Sequence, residues 1–194
     1  MRHVGTVVGS PSGEPCVIVH NALVITDMRA GREDDLPALL EIYNHHVRTG
    51  YATFDEAEVS LDDRRVWWAT YAPTGSHRII VAAEDERVVG YATSGPYRAH
   101  SAFRHTVEAS VFLAPGAIGR GLGGGLYDML LAELVDTEAR RVVAAVALPN
   151  DASVALHLSR QFTVVGTFTD YAIKGGRRIS STWFERPVRL GECP

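Results

Sequence analysis

The chain has 194 residues, 46% of them hydrophobic and 22% charged, with a formal net charge of −4. That is one domain with enough apolar material for a sizeable core, and a mildly acidic chain without a Lys/Arg run argues against nucleic acid or an anionic membrane as partner. Two cysteines near opposite ends, Cys16 and Cys193, make neither a disulfide framework nor a metal-spaced set, no apolar run reaches membrane-spanning length, and the first residues lack a signal-peptide layout, so a metal-free, cytoplasmic protein is expected.

Residues 1–21 are punctuated by Gly, Ser and Pro and read as a poorly ordered extension. Leu23 to Ile25 with Met28 read as a first strand. Asp34 and Asp35 favour a helix N-terminus, and Pro37 is tolerated in a first turn. Leu36, Leu39, Leu40, Tyr43 and Val47 then form an apolar stripe at helical spacing. Gly50 to Phe54 is a loop. A second helix is expected near 61–71, with Val66 and Trp67 facing inward. Arg78 to Ala83 and Arg87 to Thr93 are β-rich runs around Glu84-Asp85-Glu86, a hairpin.

The stretch from Thr106 to Leu131 is the densest in signals. An apolar run, Val107 to Leu113, contains one carboxylate, Glu108. In a strand, Val107, Ala109 and Val111 share one face, and Glu108, Ser110 and Phe112 share the other. A turn at Pro115-Gly116 leads to a loop with five glycines between Gly119 and Gly125, followed by Leu126, Met129, Leu130 and Leu134 at helical spacing. Strand, glycine loop and helix make an anion cradle, because backbone N–H groups can approach a phosphate and the helix N-terminus adds partial positive charge. Gly119-x-Gly121-x-x-Gly124 also spells a dinucleotide fingerprint. That motif requires a tight turn straight off the strand and an acidic residue roughly 20 positions on, and neither is present. A ligand-free glycine cluster at a helix start would cost too much helix propensity to be casual. Arg140 to Leu148 is apolar enough to be buried on both faces. Asn150 or Asp151 caps a short helix ending near Gln161. Two strands, 162–173 and 179–184, flank the turn at Lys174-Gly175-Gly176.

Ile118-Gly119-Arg120-Gly121-Leu122-Gly123 is similar to the coenzyme A pyrophosphate loop of the GNAT superfamily of N-acetyltransferases. Thr106-Val107-Glu108, together with Leu148-Pro149-Asn150-Asp151-x-Ser153 and His157, resembles the phosphinothricin and methionine sulfone N-acetyltransferase subgroup. The similarity runs from about Met28 to Trp183. It implies one N-acetyltransferase domain over 22–188 with a tail at 189–194. The implied fold is α/β (α+β), a mixed and mostly antiparallel central sheet flanked by helices in the order β-α-α-β-β-β-α-β-α-β-β. Acetyl-CoA is the implied cosubstrate, and a homodimer is implied as the assembly.

The resemblance also implies roles. The backbone of Val111, Phe112 and Leu113 would hold the pantetheine arm, as would Asn150, whose alternative role is a simple N-cap. Gly119, Arg120, Gly121, Leu122, Gly123 and Gly124 would cradle the pyrophosphate. Acetylating an ammonium requires a base, and a carboxylate within an apolar strand is a candidate; Glu108 is that base or an interface salt-bridge partner. His157 stands where many relatives carry a tyrosine, and serves as acid, as part of a base relay, or as a packing residue. Phe54 is either an acceptor-pocket residue or a core aromatic. Arg98, His100 and Phe103 occupy the place of basic and aromatic acceptor residues, with solvated loop side chains as the alternative. Ile118, Gln161, Arg178 and Ser180 depart from the family pattern. The expected activity is direct acetyl transfer to the amino group of a small amino acid or analogue of the phosphinothricin, methionine sulfone or methionine sulfoximine type. The alternative is a non-catalytic acyl-CoA-binding regulatory module.

Overall fold

The computed structural model describes residues 26–191. The extension 1–21, the segment Leu23 to Ile25 and both cysteines lie outside the described residues. The elements are β1 (Thr26–Ala30), α1 (Leu36–Thr49), α2 (Leu61–Trp68), β2 (Arg78–Glu84), β3 (Arg87–Pro96), β4 (Thr106–Leu113), α3 (Leu122–Leu134), β5 (Arg141–Leu148), α4 (Asp151–Ser159), β6 (Thr163–Lys174) and β7 (Arg177–Pro187). Seven strands form one sheet in the order β1-β2-β3-β4-β5-β7-β6. Every pairing is antiparallel except β4 with β5. The order of elements and the mixed sheet agree with the expectation from sequence.

Two apolar clusters hold the layers together. On one face, Leu126, Leu130 and Leu134 of α3 pack with Ile80, Val107, Val142 and Phe184 of the sheet. On the other, Leu39 and Ile42 of α1 and the rings of Trp67 and Trp68 cover Ile79, Val81 and Tyr91. The alternation of Ile79 and Val81 with Ile80 and Ala82 explains why β2 reads as a continuous apolar run: each face is buried under a different helix layer. Burying one such side chain is worth about 1.5–3 kcal/mol.

Two details of the helices differ from the sequence reading. In α1, Ile42 is buried and Leu40 only partly so. In α2, Val66 is 72% exposed, whereas Arg64 is only 4% exposed. The inward stripe of α2 is Arg64, Trp67 and Trp68, a regular i, i+3, i+4 set whose first member is charged. Ser60 caps this helix, its hydroxyl accepting from the Asp63 N–H.

The β4–β5 pairing positions the site. It covers only Thr106↔Arg141, Val107↔Val142 and Glu108↔Val143. Beyond Glu108 the strands diverge. β4 stays paired with β3 to Leu113, and β5 stays paired with β7 to Leu148. The sheet therefore opens between the second half of β4 and the second half of β5.

Candidate active site

A small cavity of about 70 Å³ lies in this opening, lined by Ser110 to Phe112 of β4, Ala145 to Ala147 of β5, and Tyr127, Asn150 and His157. Backbone groups on the diverged edges of β4 and β5 have no strand partner there, so an extended chain with amide groups can be received as an added strand. Val111 and Phe112 line this gap. The Leu113 carbonyl is instead bound by His46 Nε2 at 2.8 Å, so that carbonyl is already engaged.

The loop ahead of α3 is built to receive an anion. Gly119 and Gly121 have φ of 79° and 81°, the left-handed region that glycine tolerates. A Cβ at either position meets nothing within 4 Å. Gly121 is the N-cap of α3 and supplies no side-chain cap, unlike Ser60 and Asn150 on their helices. The first N–H groups of α3 are left for a ligand. Gly123 and Gly124 have a different role. A Cβ on Gly123 would press on Leu156 at 3.3 Å, and one on Gly124 would run into the Arg160 guanidinium. The packing around α3 requires both to be small. Leu122 is buried. Arg120 pairs with Glu84 through both terminal guanidinium nitrogens, at 2.5 and 3.2 Å. Ile118 is exposed and supplies no donor side chain.

Asn150 caps α4, its Oδ1 accepting from the Ser153 N–H at 3.1 Å. It also lines the gap, so capping and lining occur together. His157 is 3% exposed and stacks on Phe184, with centroids 5.1 Å apart. Its Nδ1 lies 2.7 Å from the Ser153 carbonyl, which can only accept, so Nδ1 carries the proton. Nε2 then accepts from the Tyr127 hydroxyl at 3.0 Å. Burial lowers the imidazole pKa despite the Ser153 bond, and the ring is neutral. Sequence reasoning missed Tyr127, a residue of the α3 core face whose hydroxyl is the only polar group that reaches His157 Nε2 among the described residues.

A larger cleft of about 620 Å³ adjoins the gap and shares Ala52, Ser110, Phe112 and Ala145 with it. Glu108, Ser110 and Phe112 line it from β4, which confirms that they share one strand face. No hydrogen bond or ion pair to Glu108 is present among the described residues, and burial pushes its carboxyl above the ordinary range. The salt-bridge alternative for Glu108 is thus not realised among the described residues. Phe54 lines the cleft and is 44% exposed, with Tyr171 edge-on at 6.0 Å; it is not a core residue.

The loop carrying Phe54 is held from three sides. Asn44, buried in α1, clamps Val59 through its carbonyl and its N–H, both at 2.9 Å. Tyr43 bonds Thr53 and Asp55 at 2.6 and 2.7 Å. Lys174 Nζ donates to the Thr53 carbonyl at 2.9 Å, and Glu56 accepts from the Gly175 N–H. Arg98 is exposed and stacks over Tyr97 and Phe103. Arg98, His100 and Phe103 are not among the residues that line the cleft.

The model of the acetyltransferase (GNAT) family matches residues 39–162. The chain belongs to the GNAT acetyltransferase family. It is 42% identical over 163 residues to a phosphinothricin N-acetyltransferase of Streptomyces coelicolor, covering 83% of this chain and 95% of that protein. It is 36% identical to an L-methionine sulfoximine/L-methionine sulfone acetyltransferase of Salmonella typhimurium, covering 81% and 92%. Its fold matches the crystal structure of a phosphinothricin acetyltransferase from Sinorhizobium meliloti in complex with acetyl-CoA, with a TM-score of 0.79, 28% identity, and coverage of 84% and 88%. This GNAT chain is therefore an acetyl-CoA-dependent N-acetyltransferase. The regulatory-module alternative is set aside, because the relatives are named as enzymes. The sheet opening and the uncapped glycine loop fit acetyl-CoA, which supplies the activated acetyl group. No group of three or more metal-capable side chains occurs among the described residues, and no described helix is long and apolar enough to cross a membrane.

Proposed function

We propose that this acetyltransferase transfers acetyl directly to the amino group of a small amino acid or analogue of the phosphinothricin, methionine sulfone or methionine sulfoximine type, with Glu108 as general base. The observation that carries this reading is the contiguity of the two cavities: the gap in the sheet and the cleft share four lining residues, and Glu108 faces the cleft beside them. An acceptor in the cleft arrives next to whatever the gap holds. An ammonium at neutral pH is not nucleophilic, and a half-buried, unpaired carboxylate with a raised pKa suits its deprotonation. The amine then attacks the thioester carbonyl. A backbone N–H of the diverged β4 edge serves the developing oxyanion, and the thiolate leaves with the proton that the attacking nitrogen sheds as the amide forms. Neutral His157 accepts from the Tyr127 hydroxyl and so positions Tyr127, which lines the gap.

The domain spans 22–188, and the enzyme acts in the cytoplasm as a homodimer. The dimer is supported by β6, nearly all of which is solvent-exposed, including Val164, Val165, Phe168 and Ile173 at 55–68%; apolar edge strands of this kind are usually covered. Arg98, His100 and Phe103 belong to the acceptor site in that assembly. The test is release of free thiol from acetyl-CoA in the presence of L-phosphinothricin, L-methionine sulfone and L-methionine sulfoximine, alongside proteinogenic amino acids. Acetylation of at least one analogue, confirmed by product mass, is expected; thiol release independent of every amine contradicts the reading.

A further inference from the structure

Arg64 is a buried cation with no counter-ion among the described residues. It is 4% exposed, lines the acceptor cleft, and pairs with no carboxylate among the described residues. Its Nη2 donates to the Tyr91 hydroxyl at 2.7 Å, and its Nε is buried without a hydrogen-bond partner. The guanidinium lies 3.5 Å over the Trp67 ring and 4.6 Å from the Tyr43 centroid. Aromatic faces offset part of the cost of burying the charge. A leucine or methionine would fill the same space without that cost, so packing alone does not account for an arginine.

Nearby phenols do not supply the missing negative charge. Burial pushes Tyr43 up to about 12 and raises Tyr71 and Tyr91 too, so all three stay neutral. The remaining charged groups that line the cleft are Asp55 and Glu108. Asp55 accepts from the Tyr43 hydroxyl, and Glu108 has no partner. The cleft thus presents one free carboxylate and one incompletely satisfied guanidinium.

We propose that Arg64 is the receptor for the anionic group of the acceptor, so that the cleft reads a zwitterion: its carboxylate or phosphinate at Arg64 and its amine at Glu108. This rests on the reading of the cleft as the acceptor site for an amine. The planar fork can give hydrogen bonds to two oxygens, and Trp67 and Tyr91 fix its plane before the acceptor arrives. The α2 helix is therefore a specificity element.

The experiment compares L-methionine sulfone with its decarboxylated counterpart, 3-(methylsulfonyl)propylamine, in wild type, Arg64→Met and Arg64→Lys. Methionine keeps the apolar stem over Trp67; lysine keeps the charge but not the fork. In Arg64→Met the KM for methionine sulfone should rise about 10–150-fold, the scale of a lost charge-assisted bond. The KM for the propylamine should change by less than about three-fold, with acetyl-CoA affinity intact. Arg64→Lys should fall between, and it alone decides the matter if the methionine variant does not fold. Equal losses on both amines would assign Arg64 a purely structural role, and no loss on either would make it a bystander; both overturn the proposal. A wild type that acetylates neither amine refutes the acceptor reading itself, and the Arg64 assignment with it.

Discussion

Glu108 shows most directly how one side chain couples stability to chemistry. Burial raises its pKa above the ordinary 4.5, so the folded protein holds this proton more readily than the unfolded chain. Between 4.5 and the raised value, stability falls as pH rises, and above that value the penalty of the buried charge is fully present. Glu108→Gln removes the charge. The variant is expected to melt at a higher temperature than wild type at pH 8, with the difference shrinking as pH falls through the raised pKa and vanishing near 4.5. Melts across pH 4.5–8 check this, and a variant less stable at every pH contradicts it. His157 has the opposite sign. Its pKa is lowered, so it contributes stability that is lost as pH falls below the ordinary imidazole range.

At the scale of elements, the glycine loop separates conformation from packing. Gly121 sits at φ 81° facing open space, whereas Gly124 has its missing Cβ directed at Arg160. Gly121→Val strains the backbone by about 1–2 kcal/mol and places a side chain beside the uncapped α3 terminus, so acetyl-CoA affinity should fall at least about ten-fold. Gly124→Ala should displace Arg160 from Asp128, a partly exposed pair worth at most about 1 kcal/mol, and leave acetyl-CoA binding nearly unchanged. Calorimetry on both variants checks the contrast; equal losses of affinity would contradict it. The strands, helices and loop were legible in the sequence because alternation, capping and glycine density are local signals. Arg64 and Asn44 were not, since charged and amide side chains read as surface unless their partners are known. Tyr127 was hidden as one more core residue on an apolar helix face. Gln161, which departs from the family pattern, adopts φ 62°, a left-handed conformation that costs a residue with a Cβ some strain.

At the scale of the whole molecule, one sheet that separates into two halves after Glu108 opens the gap, the cleft beside α2 adjoins it, and the outer half ends in the exposed strand β6. If β6 is the dimer surface, Phe168→Asp places a charge on it and should shift the mass measured by light scattering from two chains toward one, with the melting temperature of the monomer little changed. A single-chain mass for the wild type would contradict the assembly. The account stands or falls on whether Glu108 activates an amine in the cleft beside the sheet opening. The most direct measurement is single-turnover formation of N-acetylated L-phosphinothricin or L-methionine sulfone by wild type and Glu108→Gln at pH 7.5, with acetyl-CoA affinity determined on the same preparations. The account predicts unchanged acetyl-CoA binding and a rate about 10²–10⁴-fold lower in the variant; a rate within a few-fold of wild type would contradict it.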